Sequence, residues 1–167
     1  MARRFRGEYT QKVDGKGRVS IPSRYRRVIE SGDPDWVDGK APEFIIVYGD
    51  ETRNYLECYT VTAMDELEEQ IEDMDLGTDE RDVMETIYSG HSLETTVDET
   101  GRIVLPKKLR DKIGLDDEAY FIAKGNNFQI WKPQTYEETK KSRTEAWLKD
   151  QPENFDPRVL LSRNRSE

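Results

Sequence analysis

Short runs in which apolar and other residues alternate occur in two parts of the chain, and the sequences that flank them are similar. Val19 and Ile21 stand two positions apart, and Ile103 and Leu105 repeat that spacing 84 positions later. A period of two is typical of a β-strand that buries one face. The similarity continues on both sides of each run at the same offset, with Pro directly after each run. The pattern therefore predicts a duplicated unit and two intertwined halves.

A tight turn is predicted before each of these strands, because Asp is followed three positions later by Gly and then by Arg. The residues are Asp14, Gly17 and Arg18 in the first copy and Asp98, Gly101 and Arg102 in the second. An Asp side chain can accept backbone N–H bonds inside a turn, and Gly permits positive φ. Asp and Gly are therefore predicted to be structural. An ordinary hairpin turn with a solvated Arg also fits, but a turn alone does not require the Arg that both copies keep.

Both copies are predicted to have the order strand, strand, short helix, strand, strand. The predicted strands comprise residues 7–13, 18–21, 44–48, 55–59, 119–123 and 128–131, and the last two in each copy form a hairpin. Pro22 stands at the first position of the predicted helix. The apolar face of this helix has Tyr25, Val28 and Ile29, and its basic face has Arg24, Arg26 and Arg27. The basic face fits an electrostatic contact and equally an ordinary solvated surface.

An acidic helical connector is predicted between the two copies. One helical face has Met64, Leu67, Ile71 and Met74, with acidic residues around it. Thr62 is the predicted N-cap of that helix, and a second helix extends from about Asp79 to Gly90. A third helix is predicted from near Pro133 to Leu148. The predicted segments are 5–60 for the first repeat, 61–89 for the connector, 90–140 for the second repeat, and 141–167 for a helix end and a disordered tail.

Charge is unevenly distributed along the 167 residues, although the formal net charge is −9. Residues 1–29 contain nine Lys or Arg and two Asp or Glu (+7). Residues 30–99 contain three Lys or Arg and 22 Asp or Glu (−19). Residues 100–167 contain 14 Lys or Arg and 11 Asp or Glu (+3). The acidity belongs to the middle, and both motifs lie at or beside basic portions. Such segregation is expected of a face that binds nucleic acid.

Enzymatic and metal chemistry have few candidate residues in this sequence. His91 is the only histidine and Cys58 the only cysteine, so an internal disulfide is excluded and no Cys/His metal cluster can form. The Gly-x-Gly at 15–17 leads into a strand and lacks the rest of a dinucleotide fingerprint. We therefore predict a protein that is not an enzyme and has no cofactor or metal. The charged N-terminus lacks a following apolar run, and a cytoplasmic location is predicted.

Two copies of Asp-x-x-Gly-Arg-[Val/Ile]-x-[Ile/Leu]-Pro resemble the AbrB-like swapped-hairpin DNA-binding domain, and their pairing in one chain resembles the MraZ family of bacterial transcriptional regulators. Residues 5–9 and 125–131 also resemble that family. The resemblance implies an α+β, mainly β fold, in which a double AbrB-like swapped-hairpin β-barrel has flanking helices. It also implies a nucleoid-associated homo-oligomer, expected to be a ring. Such a protein would regulate the division and cell-wall gene cluster through short direct repeats in promoter DNA.

Sites of DNA contact follow from the same resemblance. It assigns them to Lys16 and Arg18 in the first copy and to Arg102 in the second, where Thr100 stands in place of Lys. An Arg at the end of a turn can donate two hydrogen bonds to guanine O6 and N7, while the N-terminal arm contacts phosphate. That predicted arm consists of Arg3, Arg4 and Arg6. A different class of function stays open, namely an interaction or assembly module, or an antitoxin-like protein, whose acidic helices bind a basic partner.

Overall fold

A computed structural model describes residues 4–163 of the chain. They form two compact units, one that extends to Pro133 and one that begins at Gln134. The strands are β1 (Glu8–Lys12), β2 (Arg18–Ser20), β3 (Glu43–Val47), β4 (Tyr55–Thr60), β5 (Ser92–Thr96), β6 (Arg102–Val104), β7 (Glu118–Ala123) and β8 (Asn127–Trp131). The helices of the first unit are α1 (Ser23–Ser31), α2 (Val61–Glu72), α3 (Asp79–Glu85), which continues as a π-helical turn (Thr86–Gly90), and α4 (Lys107–Ile113). No helix among residues 4–163 is long and apolar enough to cross a membrane.

Six of the strands form one antiparallel sheet in the order β1-β7-β8-β4-β3-β5. β1 of the first copy pairs with β7 of the second, and β5 of the second copy pairs with β3 of the first. The predicted hairpins β3–β4 and β7–β8 are present, and β4 pairs with β8 at the centre. The order is unchanged when the two copies exchange places. The α+β class and the intertwined halves are therefore confirmed.

The predicted closed barrel is wrong, because the six-stranded sheet is open. Within the described residues, β1 and β5 are its two edges. β2 and β6 do not connect these edges but pair with each other as a separate two-stranded sheet, called here the motif ladder. An ordinary hairpin of β1 and β2 is also absent from residues 4–163, where a single bridge joins Val13 to Val19. Apart from this bridge and the Asp14 N–H, which donates to the Arg18 carbonyl oxygen at 3.1 Å, β2 pairs with its counterpart in the other copy.

The main hydrophobic core lies between the six-stranded sheet, the motif ladder, α1 and α4. The alternating apolar residues of the two motif runs are buried, namely Val19, Ile21, Ile103 and Leu105, whereas Val104 is exposed. Tyr25 of α1 is fully buried, and its ring centroid lies 4.8 Å from that of Phe128 in the other copy. Its hydroxyl donates to the Gly7 carbonyl oxygen at 2.6 Å. Because both copies contribute to one core, burial of apolar surface stabilises the halves only together.

The acidic helix α2 packs on the opposite face of the six-stranded sheet from this core. Successive residues of a strand point to opposite faces. In β3, Phe44 belongs to the main core, whereas Val47 packs in a second cluster with Met64 of α2. The predicted N-cap at Thr62 is wrong by two residues, since the Thr60 hydroxyl accepts the Ala63 N–H at 3.1 Å and α2 has already begun at position 62.

Helical segments begin at the last residue of the first unit, Pro133, and make up the second unit. α5 (Pro133–Thr135), a π-helical segment (Tyr136–Lys141) and α6 (Ser142–Lys149) follow without a break, which confirms the predicted third helix. A 3-10 turn (Pro157–Val159) and α7 (Leu160–Arg163) occur where the sequence predicts disorder. Residues 164–167 of the predicted tail, like Arg3 of the predicted arm, lie outside the described residues. The boundaries at 60, 89 and 140 stay predictions.

Candidate nucleic-acid interface

The first motif loop is organised by the Asp14 carboxylate. Its Oδ1 accepts the backbone N–H groups of Lys16 and Arg18 at 3.0 and 2.9 Å, and its Oδ2 accepts Nε of Arg18 at 2.6 Å. The N–H of Gly17 closes the turn on the Asp14 carbonyl oxygen at 3.0 Å. The backbone N–H of Arg18, followed by its side chain and the Lys16 N–H, lowers the pKa of Asp14 from 3.8 to about 2. The carboxylate therefore fixes both the loop and the direction of the Arg18 side chain.

The second motif loop has the same backbone turn but holds its Arg differently. Asp98 Oδ1 accepts the N–H groups of Thr100 and Arg102, both at 2.9 Å, and the Thr100 hydroxyl at 2.7 Å. The Arg102 Nε donates to the Thr100 hydroxyl at 3.0 Å and lies 4.0 Å from Asp98 Oδ2. The backbone N–H of Arg102 and the Thr100 hydroxyl lower the pKa of Asp98. The position of the exposed Lys16 in the first loop is thus occupied in the second by Thr100, whose hydroxyl links Asp98 to Arg102.

A glycine is required before each Arg by both conformation and space. Gly17 has φ of +83° and Gly101 has φ of +80°, values that residues with a side chain rarely adopt. Both glycines are buried. The Gly17 carbonyl oxygen accepts the N–H of Leu105 at 2.8 Å, and the Gly101 carbonyl oxygen accepts the N–H of Ile21 at 2.9 Å. Each loop is therefore joined by a backbone hydrogen bond to the end of the other copy's motif strand.

The motif ladder brings Arg18 and Arg102 to one face. Arg18 is opposite Val104, and Ser20 is opposite Arg102. Residues two apart on a strand and residues directly opposite each other share a face, so all four of these residues lie on the side away from the core. The two Arg residues are diagonal neighbours, a relation that separates positions by about 7–8 Å. Two guanidinium groups, one from each copy, thus emerge side by side.

A cleft with a volume of about 420 Å³ runs beside both Arg residues. Lys12 and Ser20 contribute to its polar wall, and Asp14, Asp117 and Glu118 supply carboxylates. About two-fifths of the Arg18 side chain and of the Arg102 side chain is exposed, at 39% and 38%. The guanidinium groups are therefore available to a ligand while their carboxylate neighbours restrict their direction.

The remaining predicted contacts lie on exposed positions. Lys16 is exposed at the tip of the first loop, and Arg4 and Arg6 are exposed on either side of buried Phe5. The Phe5 N–H donates to the Gly125 carbonyl oxygen at 2.8 Å. The described part of the predicted arm is therefore attached to the turn between β7 and β8 at residue 5.

Two Arg residues of the helices that follow the motif strands contact the motif loops, a contact that the sequence did not predict. Arg26 of α1 lies against Gly101, and Arg110 of α4 lies against Gly17. These Arg residues are themselves related by the offset of 84, as are the two glycines. The offset was the signal that could have identified the pair, because it marks both members as repeated features.

Other reactive groups are placed apart from this face. Cys58 is fully buried in the main core, and burial raises the pKa of its thiol. The His91 ring stacks on Tyr48 at a centroid distance of 5.7 Å. Within residues 4–163, no group of three or more His, Cys, Asp or Glu side chains could hold a metal ion.

Comparison with known proteins extends over most of the chain. The model of a family described as "MraZ protein, putative antitoxin-like" matches residues 4–85 and 89–158. A protein of Ruegeria sp. (strain TM1040), named transcriptional regulator MraZ, is 57% identical over 161 residues, which cover 96% of each chain. The protein of the same name from Ruegeria pomeroyi is 55% identical over the same share. That of Rickettsia akari is 33% identical over 138 residues, which cover 83% of this chain and 87% of the relative.

Proposed function

Because the chain belongs to the MraZ family, we propose that it is a transcriptional regulator that binds double-stranded DNA through its two motif loops. The observation that carries the proposal is the pair Arg18 and Arg102 on one solvent face of the motif ladder. The relatives are named as transcriptional regulators, which is not a class of enzyme. Promoter DNA as the partner puts the protein at the nucleoid in the cytoplasm.

The two Arg side chains are suited to read base edges. A guanidinium group can donate two hydrogen bonds to guanine O6 and N7 in the major groove. Asp14 and Thr100 already hold the two Nε atoms, which leaves the terminal Nη groups to donate to a ligand. A side chain with restricted rotation loses less conformational entropy on binding. Lys16 and the exposed Arg4 and Arg6 contribute phosphate contacts, which position the protein without reading sequence.

The distribution of acidic residues is compatible with this DNA face. α2 packs on the face of the six-stranded sheet opposite the main core, and the motif ladder packs on the side of that core. The net charge of −19 in residues 30–99 includes α2 and α3. With α2 across the sheet from the ladder, its repulsion of phosphate is screened by distance and salt.

Several subunits and several short direct repeats complete the proposal. One subunit presents two motif loops, and single small DNA-binding modules typically bury only about 600–1,000 Å². Repeats spaced by about 10 bp return to the same side of the duplex. A homo-oligomer, as a ring or another assembly, would place successive basic faces along such a site and convert weak single contacts into tight binding.

Retention on heparin and on promoter DNA at modest salt tests the proposal. The wild-type protein, with a sequence pI near 4.8, is expected to be retained because Arg18 and Arg102 share one exposed face of the motif ladder. The double variant Arg18→Ala/Arg102→Ala is expected to elute earlier. A matched control, Arg143→Ala/Lys149→Ala, also removes two exposed basic side chains but from the second unit, and it should elute with the wild type.

The opposite result would favour an interaction module that acts through the acidic helices. In that case the wild-type protein would flow through both columns, and a basic partner protein would be retained on immobilised wild type. Equal loss of retention in the double variant and the control would show that total charge, rather than the motif face, determines binding.

A further inference from the structure

Arg26 and Arg110 are the equivalent residues of α1 and α4, and each lies against the glycine of the opposite copy's motif loop. A Cβ atom on Gly17 would lie 2.8 Å from Nε of Arg110, and a Cβ atom on Gly101 would lie 2.5 Å from Nη1 of Arg26. Real side chains do not approach so closely, so each guanidinium group occupies the space that the glycine leaves free. The arrangement is reciprocal between the copies.

Hydrogen bonds extend the contact in the Arg110 half. The Leu105 N–H donates to the Gly17 carbonyl oxygen at 2.8 Å, and Nε of Arg110 donates to the Leu105 carbonyl oxygen at 2.9 Å. Gly17 therefore binds the backbone N–H of Leu105 and Arg110 binds its carbonyl oxygen. A Cβ atom on Gly17 would also collide with the Leu105 carbonyl oxygen, so the three groups fit together only with glycine.

Arg26 packs against Gly101 in the same way but lacks the hydrogen bond that Nε of Arg110 makes to the motif strand. The Ile21 N–H donates to the Gly101 carbonyl oxygen at 2.9 Å. Nε of Arg26 is buried and has no hydrogen-bond partner among the described residues. Its guanidinium group thus restrains the second loop through packing, whereas Arg110 restrains the first loop through packing and a hydrogen-bonded strand end.

Each glycine directly precedes the Arg on the ladder face, so its backbone position sets where that Arg begins. Contacts that read a ligand must be held within about 0.5 Å by their surroundings. We propose that Arg110 positions the first motif loop and Arg26 positions the second, so that each copy sets the geometry of the other copy's DNA contact. The consequence for DNA rests on the proposed function, whereas the effect on the loops does not.

Hydrogen–deuterium exchange tests the positioning without DNA. The loop amides of Lys16, Gly17 and Arg18 all donate hydrogen bonds to Asp14. Arg110→Ala is expected to accelerate exchange in peptides that cover residues 13–19 by roughly two- to tenfold, as loss of one net hydrogen bond allows. Peptides that cover 97–103 should change less. Arg26→Ala should give the reverse pattern.

Matched variants keep the exchange result interpretable. Arg27→Ala removes an exposed charge from the same helix as Arg26 and should leave both loops unchanged. Arg110→Gln removes the charge but keeps a donor for the Leu105 carbonyl oxygen, so it should accelerate exchange less than Arg110→Ala. It also serves if the alanine variant fails to fold. Equal acceleration of both loops, or acceleration in the loop of the same copy, would overturn the proposal.

A double-mutant cycle on DNA affinity tests the functional consequence. Arg110→Ala is expected to weaken binding in the Arg102→Ala background by the same factor as in the wild type. In the Arg18→Ala background most of that factor should disappear, since the side chain that Arg110 positions is gone. Direct contact of Arg110 with phosphate would instead give equal factors in both backgrounds and a salt slope reduced by about 0.9. That result would overturn positioning as the role of Arg110.

Failure of the two proposals can be told apart. If wild-type protein bound no DNA, the proposed function would fail, and the exchange pattern would still decide whether Arg26 and Arg110 position the loops. If DNA were bound but the loops exchanged identically in every variant, the positioning role alone would be wrong.

Discussion

Arg18 and Arg102 have half-exposed side chains whose main neighbours belong to their own loops. We expect Arg18→Ala and Arg102→Ala each to leave the melting temperature nearly unchanged, because exposed ion pairs contribute little to folding. Each change should reduce discrimination between target and non-target DNA by about 1–3 kcal/mol, the usual contribution of one bidentate base contact. Thermal denaturation and fluorescence anisotropy with labelled duplexes measure the two effects.

Lys107→Ala provides a comparison for these variants, since Lys107 is exposed and paired with Asp111 at 2.8 Å within α4. It should change neither the melting temperature nor discrimination between sequences. A large fall in melting temperature for Arg18→Ala with unchanged discrimination would mean that the Arg is structural.

Asp14 provides a prediction about pH. Its folded-state pKa is about 2 and its ordinary value is 3.8, so the carboxylate stabilises the fold above about pH 4 and loses that contribution as the pH falls towards 2. Asp14→Asn should therefore melt at a lower temperature than the wild type at pH 6. The difference should shrink between pH 4 and pH 2. A difference that stays constant over this range would show that the charge of Asp14 does not stabilise the loop.

Residue spacing predicted the turn and its Asp, Gly and Arg, because each of these needs only local geometry. It did not predict that Arg110 lies against Gly17, since that contact joins residues of opposite copies. Within the first copy alone, the basic helix face with Arg26 and Arg27 looks uniform, and only the offset of 84, which matches Arg26 to Arg110 but Arg27 to Asp111, distinguishes them. The fold separates these neighbours, since Arg27 is exposed and Nε of Arg26 is buried.

Among the secondary-structure elements, α2 provides a prediction through its N-terminus. The buried Thr60 hydroxyl accepts the Ala63 N–H at 3.1 Å. Thr60→Ala should lower the free energy of unfolding by about 0.5–2 kcal/mol, the usual cost of losing such a cap. Thr60→Ser keeps the hydroxyl and should recover most of this loss in chemical denaturation. An alanine variant as stable as the wild type would mean that the cap contributes nothing here.

Strand positions and the two local hairpins, β3–β4 and β7–β8, could be read from the sequence, but the pairing of strands between the two copies could not. A period of two places Val19 on a buried face whether β2 pairs with β1 or with β6. The two arrangements therefore bury the same residues and produce the same pattern. The open sheet and the motif ladder depend on connections that only the three-dimensional structure reveals. Helix α2 was predicted from its apolar stripe, but its N-cap was placed two residues too late and its end was placed beyond Glu72, at or after Met74.

For the chain as a unit, the intertwined halves predict that neither copy folds alone. A fragment of residues 1–60 would lack β7 for β1 and β6 for β2. It should be largely unfolded or form dimers, as judged by circular dichroism and light scattering. Mixing it with a fragment of residues 61–133 should restore the sheet signal. A folded monomer of residues 1–60 would show that the halves are independent domains.

The proposed function requires that one Arg from each copy reads DNA from a common face of an otherwise acidic protein. Selection of bound duplexes from a random-sequence pool tests this requirement without assuming a target sequence. Wild-type protein should enrich short direct repeats that contain guanine and are spaced by about 10 bp, whereas Arg18→Ala/Arg102→Ala should enrich no shared sequence. Enrichment of the same repeats by both proteins, or of no sequence by the wild type, would contradict DNA reading by this Arg pair.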